Sequence, residues 1–284
     1  MNTLDRSSLS ARCLKSLGLL LICFVCAWAG RAWADTATWT GGGNPDGQWT
    51  NPLNWASGLV PANPLPFSTY NTTDGAVIFN TDTGFYDSIV SAPWTIGRLA
   101  FTNSGNMVLS GADITLNQAQ SSGVAGQASI DVAGIPTITI SNNLIFPAAS
   151  NTPATNVRHQ LWALNASTMN IYGNLIKPND GPGQLTFRGN GGGTFNVYGA
   201  ILWDTNLVLR TDVSTLGLYN SGNTWTQMNI SVGTVVLGVD NALPVNSLFN
   251  FNQNSGGASF LRMSDHNQTL AALSSSTIGT GSNT

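Results

Sequence analysis

The side chains that could carry acid–base chemistry lie in the middle of the chain: Asp180, Asp204, Asp212, Lys177, Arg188 and Arg210. A polysaccharide lyase or glycoside hydrolase needs such groups to converge on one sugar bond. The alternative is that they are solvated turn charges, and Asp180 stands in Asn-Asp-Gly-Pro, a sequence typical of turns. We find no catalytic motif around them, so we expect no enzyme activity and keep a polysaccharide-degrading enzyme as the third hypothesis.

Metal and cofactor sites are equally poorly supported by the sequence. His159 and His266 have no Cys, Glu or second His at ligand spacing. The glycines at 189–193 could suggest phosphate or calcium binding, but Phe195 stands where a glycine-rich calcium repeat requires Asp. A tight turn explains these glycines better. We therefore expect no catalytic residue, no metal and no cofactor.

Composition excludes two classes of partner. The chain has 10 basic and 13 acidic side chains, and all the acids are Asp. Nucleic acids and anionic lipid surfaces both need a basic footprint, which this chain lacks. Asn, Gly, Ser and Thr supply most of the polarity, as they do in turns between strands. Scarcity of Glu and Lys, both good helix formers, indicates an all-β protein.

Residues 1–34 have the features of an export signal. Arg6, Arg12 and Lys15 precede the apolar run Leu17–Gly30, and Ala32-Trp33-Ala34 fits a small-x-small cleavage site. The apolar run is short for a bilayer span, so we expect cleavage before Asp35 and no membrane span afterwards. All three cysteines, Cys13, Cys23 and Cys26, would leave with the signal. The mature chain then has six basic side chains, twelve aspartates and no disulfide.

Residues 35–75 form a segment rich in Trp and Pro, with Trp39, Trp49 and Trp55 beside Gly and Asn-Pro turns. The first interpretation is an N-terminal cap, in which these rings cover the open edge of the first coil. The second is a glycan-contact platform made of the same three tryptophans.

From residue 76 to residue 284 the chain is a series of short segments that alternate apolar and polar side chains, the pattern of half-buried strands. The segment 170–176 matches 196–202 at an offset of 26 residues, and 139–145 matches 170–176 at an offset of 31. Spacings of this size suit one coil of a solenoid. A β-sandwich or an antiparallel barrel could also hold many strands, but two-residue hairpin turns are few. We therefore predict a right-handed parallel β-helix.

The clearest repeat unit, 216–273, combines short strands with Asn/Gly turns. Its characteristic positions are Leu216, Leu218, Asn220, Gly222, Asn223, Thr224, Trp225, Gly233–Leu237, Gly238, Asn241, Ala242, Leu243, Pro244, Asn267, Gln268, Thr269, Leu270 and Leu273. This unit resembles the autotransporter-associated β-strand repeat of passenger-type surface proteins, and the opening at Ala37–Gly43 is similar to the N-terminal opening of such proteins.

The resemblance implies a β-solenoid with a structural or adhesin-like role. It also implies a secreted, cell-surface or outer-membrane location in a Gram-negative-type bacterium. Surface glycans, or the surfaces of host and neighbouring cells, are the expected partners. The second hypothesis is a glycan-binding module that uses exposed Trp. The Ser/Thr/Gly-rich residues 274–284 resemble the middle of another repeat, so we expect the natural chain to be truncated here.

Overall fold

The computed structural model describes residues 36–65, 75–80, 87–117, 129–134, 137–147, 158–179, 183–190, 192–203, 206–212, 214–253 and 258–277. The predicted signal, 1–34, lies outside them. The described residues form 23 strands and a single helical element, the three-residue 3-10 helix Pro52–Asn54. The protein is therefore essentially all-β, as the sequence predicted.

The first eleven strands are β1 (Ala37–Trp39), β2 (Ala76–Phe79), β3 (Asp87–Val90), β4 (Trp94–Ile96), β5 (Arg98–Phe101), β6 (Met107–Gly111), β7 (Ile114–Leu116), β8 (Ile130–Val132), β9 (Thr137–Ile140), β10 (Leu144–Ile145) and β11 (Arg158–Leu164). The remaining twelve are β12 (Thr168–Ile171), β13 (Leu175–Ile176), β14 (Gln184–Asn190), β15 (Thr194–Val197), β16 (Ile201–Leu202), β17 (Asn206–Asp212), β18 (Thr215–Leu218), β19 (Gln227–Ile230), β20 (Gly233–Leu237), β21 (Leu248–Gln253), β22 (Ser259–Arg262) and β23 (Ala272–Thr277).

These strands pair in parallel into three sheets. The ten-stranded sheet has the order β1-β2-β5-β8-β11-β14-β17-β19-β21-β23, the eight-stranded sheet β3-β6-β9-β12-β15-β18-β20-β22, and the five-stranded sheet β4-β7-β10-β13-β16. From β3 to β17 the chain visits the eight-stranded, five-stranded and ten-stranded sheets in turn. We use the word rung for one turn of the chain. Each rung adds one strand to each of the three sheets up to β17, and one strand to each of the two larger sheets afterwards.

The repeat offsets read from the sequence are confirmed as strand registers. Residues 168–171 of β12 pair with 194–197 of β15, an offset of 26, and 137–140 of β9 pair with β12 at an offset of 31. The five-stranded sheet follows the same offsets, because Leu144 pairs with Leu175 and Leu175 with Ile201. Equivalent side chains of successive rungs therefore lie directly over one another.

The core consists of the inward side chains of all three sheets. Strands β9, β12 and β15 share the same alternation of half-buried and buried residues. Ile171, Val197 and Ile201 are almost completely buried, whereas 53% of the Tyr172 surface is exposed. Alternation along these strands therefore directs the aliphatic side chains inward and Tyr172 outward.

Side-chain amides join successive rungs at the turn that enters the five-stranded sheet. The Asn143 carbonyl oxygen accepts from the Asn174 backbone N–H at 2.9 Å, and Asn174 accepts in the same way from Ala200 at 2.8 Å. Asn223 continues the series by accepting from the Ile201 N–H at 2.7 Å. Each amide thus satisfies a backbone donor that the turn would otherwise leave unpaired.

The repeat changes after β16, where the five-stranded sheet ends. Thr194 pairs with Thr215 and Thr215 with Thr234, so the offset falls from 26 residues to 21 and then to 19. Among the described residues, the parallel bridge between Leu202 and Thr224 is the one pairing that continues the five-stranded sheet. The later rungs alternate between the two larger sheets alone.

Replacing Val197 with Asp should destabilise the protein by about 3 kcal/mol or more, because an unpaired carboxylate would enter the core. Tyr198→Ser removes two ring contacts at a half-buried position and should cost about 1–2 kcal/mol. Urea denaturation of both variants measures the difference. A larger loss for Tyr198→Ser would show that the inward register is shifted by one residue.

The turn at Gly199 predicts a second stability difference. A Cβ added at Gly199 would overlap the backbone carbonyl of Gly173 on the preceding rung, whereas at Gly222 it would meet only the Asn220 side-chain oxygen, at 3.1 Å. Gly199→Ala should therefore cost about 2 kcal/mol or more, because rung spacing must change, and Gly222→Ala about 0.5 kcal/mol or less. Equal denaturation midpoints for the two variants would contradict this close stacking.

Candidate binding surface

The outer face of the eight-stranded sheet presents aligned columns of uncharged polar side chains. Strands β9, β12, β15, β18 and β20 contribute the polar residues Thr137, Thr139, Thr168, Asn170, Thr194, Asn196, Thr215 and Thr234, and the second column continues with the buried Gly217 and with the apolar Val236. Alternate residues of a strand share a face, so the register fixes these columns. We call this surface, together with the tyrosines that follow its strands, the threonine–tyrosine face.

Three tyrosines form the most distinctive part of this face. Tyr172, Tyr198 and Tyr219 directly follow β12, β15 and β18. The Tyr172 and Tyr198 rings are stacked with their centroids 4.5 Å apart and a 7° angle between planes. Tyr198 and Tyr219 stack at 4.7 Å and 19°. The ring spacing matches the strand spacing of a sheet, so backbone pairing positions the aromatic stack.

The two ends of the tyrosine stack differ. At one end Tyr219 lies against Gly238, where an added Cβ would overlap the ring. At the other end Ser141, which follows Ile140 as Tyr172 follows Ile171, is small and exposed. Tyr172 consequently keeps 53% of its surface exposed. The stack therefore offers an aromatic ring to solvent beside an exposed hydroxyl side chain.

The amides beside the stack are ordered by the same register. The Asn196 amide nitrogen donates to the Asn170 side-chain oxygen at 2.9 Å, and the Asn220 amide donates to the Tyr198 carbonyl at 3.1 Å. Partial burial raises the pKa of the Tyr198 phenol above its ordinary value, and the hydroxyls of Tyr172 and Tyr219 act in the same direction. This surface is suited to hydrogen bonding and ring contacts with an uncharged partner.

The three tryptophans of the N-terminal segment are placed elsewhere, in the core. Trp39, Trp49 and Trp55 are each no more than 3% exposed. Trp39 and Trp49 both meet Trp55 edge to face, with centroids 5.2 and 5.5 Å apart. Their N–H groups are used internally, since Trp49 donates to Ser88 at 2.6 Å and Trp55 to the Trp49 carbonyl at 2.8 Å. Mutual packing covers the faces of these three rings, so they present no flat aromatic surface to solvent.

The candidate acid–base residues are not assembled into a described site. Asp180 and Asp204 lie outside the described residues, and Asp212 and Arg210 lie on β17, where Arg210 pairs with Arg188 of β14. The Arg188 guanidinium carbon lies 4.5 Å from the centroid of the Trp162 ring. Lys177 is 6% exposed and its ammonium donates to the Pro178 carbonyl at 3.0 Å.

The histidines have separate structural contacts. His159 is buried and lies within hydrogen-bonding distance of the Pro147 carbonyl and Ser129 hydroxyl, at 3.0 and 3.3 Å. The His266 ring lies 3.1 Å from the Asp240 carboxylate. A hydrogen bond from the Asn267 backbone, followed by the His266 contact, lowers the pKa of Asp240. Among the described residues, no three His, Cys, Asp or Glu side chains are grouped so that they could hold a metal ion.

Sequence reasoning missed the tyrosine stack as a surface, although its signal is present. The match between 170–176 and 196–202 aligns Tyr172 with Tyr198, but Tyr219 lies outside the matched segments. The dipeptides Val197-Tyr198 and Leu218-Tyr219 stand 21 residues apart, which is the shortened offset of these rungs. An alignment that allows the repeat length to vary would place Tyr219 in the same column as the other two tyrosines.

Comparisons with protein-family models, curated proteins and solved structures found no match to this chain. The part of the chain that the structure describes contains no helix long and apolar enough to cross a membrane.

Tyr198→Phe should change the alkaline stability of the protein. The folded chain holds the Tyr198 proton more tightly than the unfolded chain, so the resulting stability is present below the unfolded pKa of about 10. It is lost as the pH rises through the higher folded pKa. From about pH 10 upward the free energy of unfolding should therefore fall more steeply for the unmodified protein than for Tyr198→Phe. Identical pH slopes in urea denaturation would contradict the raised pKa.

Proposed function

We propose that this chain is an exported, right-handed parallel β-helix with a structural and adhesive role at a bacterial surface. The observation that carries the proposal is the rung-by-rung parallel register of the three sheets. Crossover connections between parallel strands of one sheet are right-handed in nearly all proteins. Successive rungs joined by right-handed crossovers form a β-solenoid, the architecture expected of a passenger-type surface protein.

Stability without disulfides supports an extracellular structural role. Every cysteine precedes Asp35, so the cleaved chain depends on backbone ladders, amide bonds between rungs and an aliphatic core. In a stacked repeat protein each rung contacts its neighbours, and length is gained by adding rungs. Such an architecture extends a binding surface away from the cell.

The Trp-rich segment, 35–75, acts as the cap of this helix. Strand β1 is the outermost strand at one end of the ten-stranded sheet and pairs with β2. The rings of Trp39, Trp49 and Trp55 pack against one another, and Trp49 also meets Trp94 at 4.9 Å. Apolar cover at this end protects the strands from pairing with other chains.

The threonine–tyrosine face is the adhesive surface in this proposal. Its repeated hydroxyl, amide and phenol groups can make many weak contacts, which together give appreciable avidity. Absence of charge on the five named strands favours neutral partners, such as surface glycans of neighbouring or host cells, over nucleic acid. The proposal includes no catalytic step.

Export provides the first test. The full chain, produced in a Gram-negative host, should be recovered outside the cytoplasm with Asp35 as its first residue, because signal peptidase cleaves after small-x-small. N-terminal sequencing of the fractionated protein gives the result directly. Recovery of the exported protein with Met1 intact would refute the predicted signal.

Adhesion provides the second test. Replacing Tyr172, Tyr198 and Tyr219 with Ala should reduce attachment of protein-coated beads to glycan-bearing cells by about tenfold, since the aromatic contact is lost on all three rungs that carry it. The matched control replaces the exposed Leu53 and Leu59 with Ser, which leaves the tyrosine stack intact. Equal attachment by the triple variant and the unmodified protein would contradict an adhesive role for this face.

A further inference from the structure

The connection between β22 and β23 carries an Asn-x-Thr sequence at the surface. The segment reads Asp265-His266-Asn267-Gln268-Thr269. Asn267 and Thr269 are both exposed. Asn-x-Ser/Thr with any residue except Pro in the middle, a sequon, is the acceptor sequence of N-linked glycosylation and is used in surface loops of exported proteins. This connection is therefore a candidate modification site.

The structure separates this sequon from two others that have the same sequence pattern. At Asn165 the required hydroxyl belongs to Ser167, which is completely buried and donates to a backbone carbonyl at 2.7 Å. Asn229 lies inside strand β19, and its side-chain oxygen accepts from two neighbouring amides at 2.6 and 3.1 Å. A fourth sequon, at Asn71, lies outside the described residues. Among the described sequons, the one at Asn267 has its asparagine and its hydroxyl residue both exposed.

The contacts of Asn267 leave room for a glycan. Ser264 and Asp265 adopt left-handed backbone conformations, with φ of 50° and 67°, where the chain leaves β22. The Asn267 backbone N–H then donates to the Asp240 carboxylate at 3.1 Å, and this bond and the Asn267 side chain both lower the pKa of Asp240. The Asp240 side chain is 59% exposed, so this contact lies at the surface. An attached sugar replaces one of the two amide hydrogens, and the remaining N–H can still donate to the carboxylate.

An acidic side chain two residues before the acceptor distinguishes this sequon further. Asp265 is exposed, whereas Ala163 and Gln227 stand at the equivalent positions before the other two described sequons. Hydrogen bonds between charged groups are about twice as strong as neutral ones. A transferase with a basic side chain in its peptide site would therefore bind this sequon more tightly than the other two.

We propose that Asn267 is a site of N-linked glycosylation, modified by a bacterial oligosaccharyltransferase with a polyprenyl-diphosphate-linked oligosaccharide as donor. The amide nitrogen forms a bond to the anomeric carbon of the first sugar as the bond from that carbon to the diphosphate oxygen breaks. Polyprenyl diphosphate leaves with the electron pair, and one amide proton passes to a base. The inference rests on the proposed export, because the donor and the transferase act outside the cytoplasm.

Transfer to the purified full chain tests the site separately from export. The chain is incubated with the solubilised transferase, its lipid-linked donor and Mg²⁺, beside a synthetic peptide of residues 263–271, and the products are digested and analysed by mass spectrometry. The fragment that contains Asn267 should gain the oligosaccharide, and those that contain Asn165 and Asn229 should not. An unmodified Asn267 in the full chain would overturn the proposal, whether or not the peptide is modified. Failure of export would instead appear as an intact Met1 in the N-terminal sequencing described above.

Two variants and a control identify the groups responsible. Thr269→Val removes the hydroxyl but keeps the branched shape and the backbone N–H that donates to Asn241 at 3.1 Å, and it should abolish transfer. Asp265→Asn should slow transfer about tenfold at limiting chain concentration, because one charge-assisted contact is lost. Asn165→Gln is the control and should leave transfer unchanged. Full transfer to Thr269→Val, or an equal loss in Asn165→Gln, would overturn the assignment.

Discussion

The hydrogen-bond ladder between successive rungs is the interaction on which the rest of this structure depends. A parallel strand cannot pair with the strand next to it in sequence through a tight turn, so its N–H and C=O groups depend on the preceding and following rungs. Strands β12 and β15 illustrate this, since each pairs on both sides with a strand 21 to 31 residues away in sequence. Apolar residues must therefore recur at register-matched positions. Otherwise a polar side chain of one rung would enter the apolar core.

The same ladder organises the outside of the protein. Because equivalent residues stack, the tyrosines of three successive rungs form a column of stacked rings, and asparagines at equivalent turns bond to the next rung. Changes in rung length have local consequences as well. Shortening the offset after Thr194 removes the third strand and opens a cavity beside Trp225. The proposed adhesive surface thus arises from the regularity of the repeat geometry, and the cavity from its interruption.

Much of the repeat could be predicted from the sequence. The matches between 139–145, 170–176 and 196–202 gave the strand register, because aligned apolar side chains must share the core. Residues 138–146 keep one period-2 pattern in the sequence, but they contribute β9 and β10 to different sheets, with a turn at 141–143. A turn that keeps the alternation of inward and outward side chains has the same period-2 sequence pattern as a straight strand. Periodicity alone therefore cannot distinguish the two.

Other features could not be predicted because they depend on the partners that a strand meets in space. Strand β23 contains a run of serines, yet it pairs along its length with β21. In the ten-stranded sheet, Ala100 and Trp162 are buried even though they alternate with core residues. The mutual burial of Trp39, Trp49 and Trp55 depends on which strands meet in the fold, and the unpaired donor of Trp225 has no signature in the sequence.

An engineered disulfide tests the parallel stacking most directly. Cys13, Cys23 and Cys26 are replaced by Ser, so that the introduced pair is the only one. Asn170 and Asn196 are register partners, and neighbouring strands lie about 4.8 Å apart, within the range that a disulfide can span. Thr139 and Asn196 are two rungs apart, at about 10 Å, beyond that range. The account predicts rapid oxidation of Asn170→Cys/Asn196→Cys and none of Thr139→Cys/Asn196→Cys. Cross-linking of the second pair alone would contradict it.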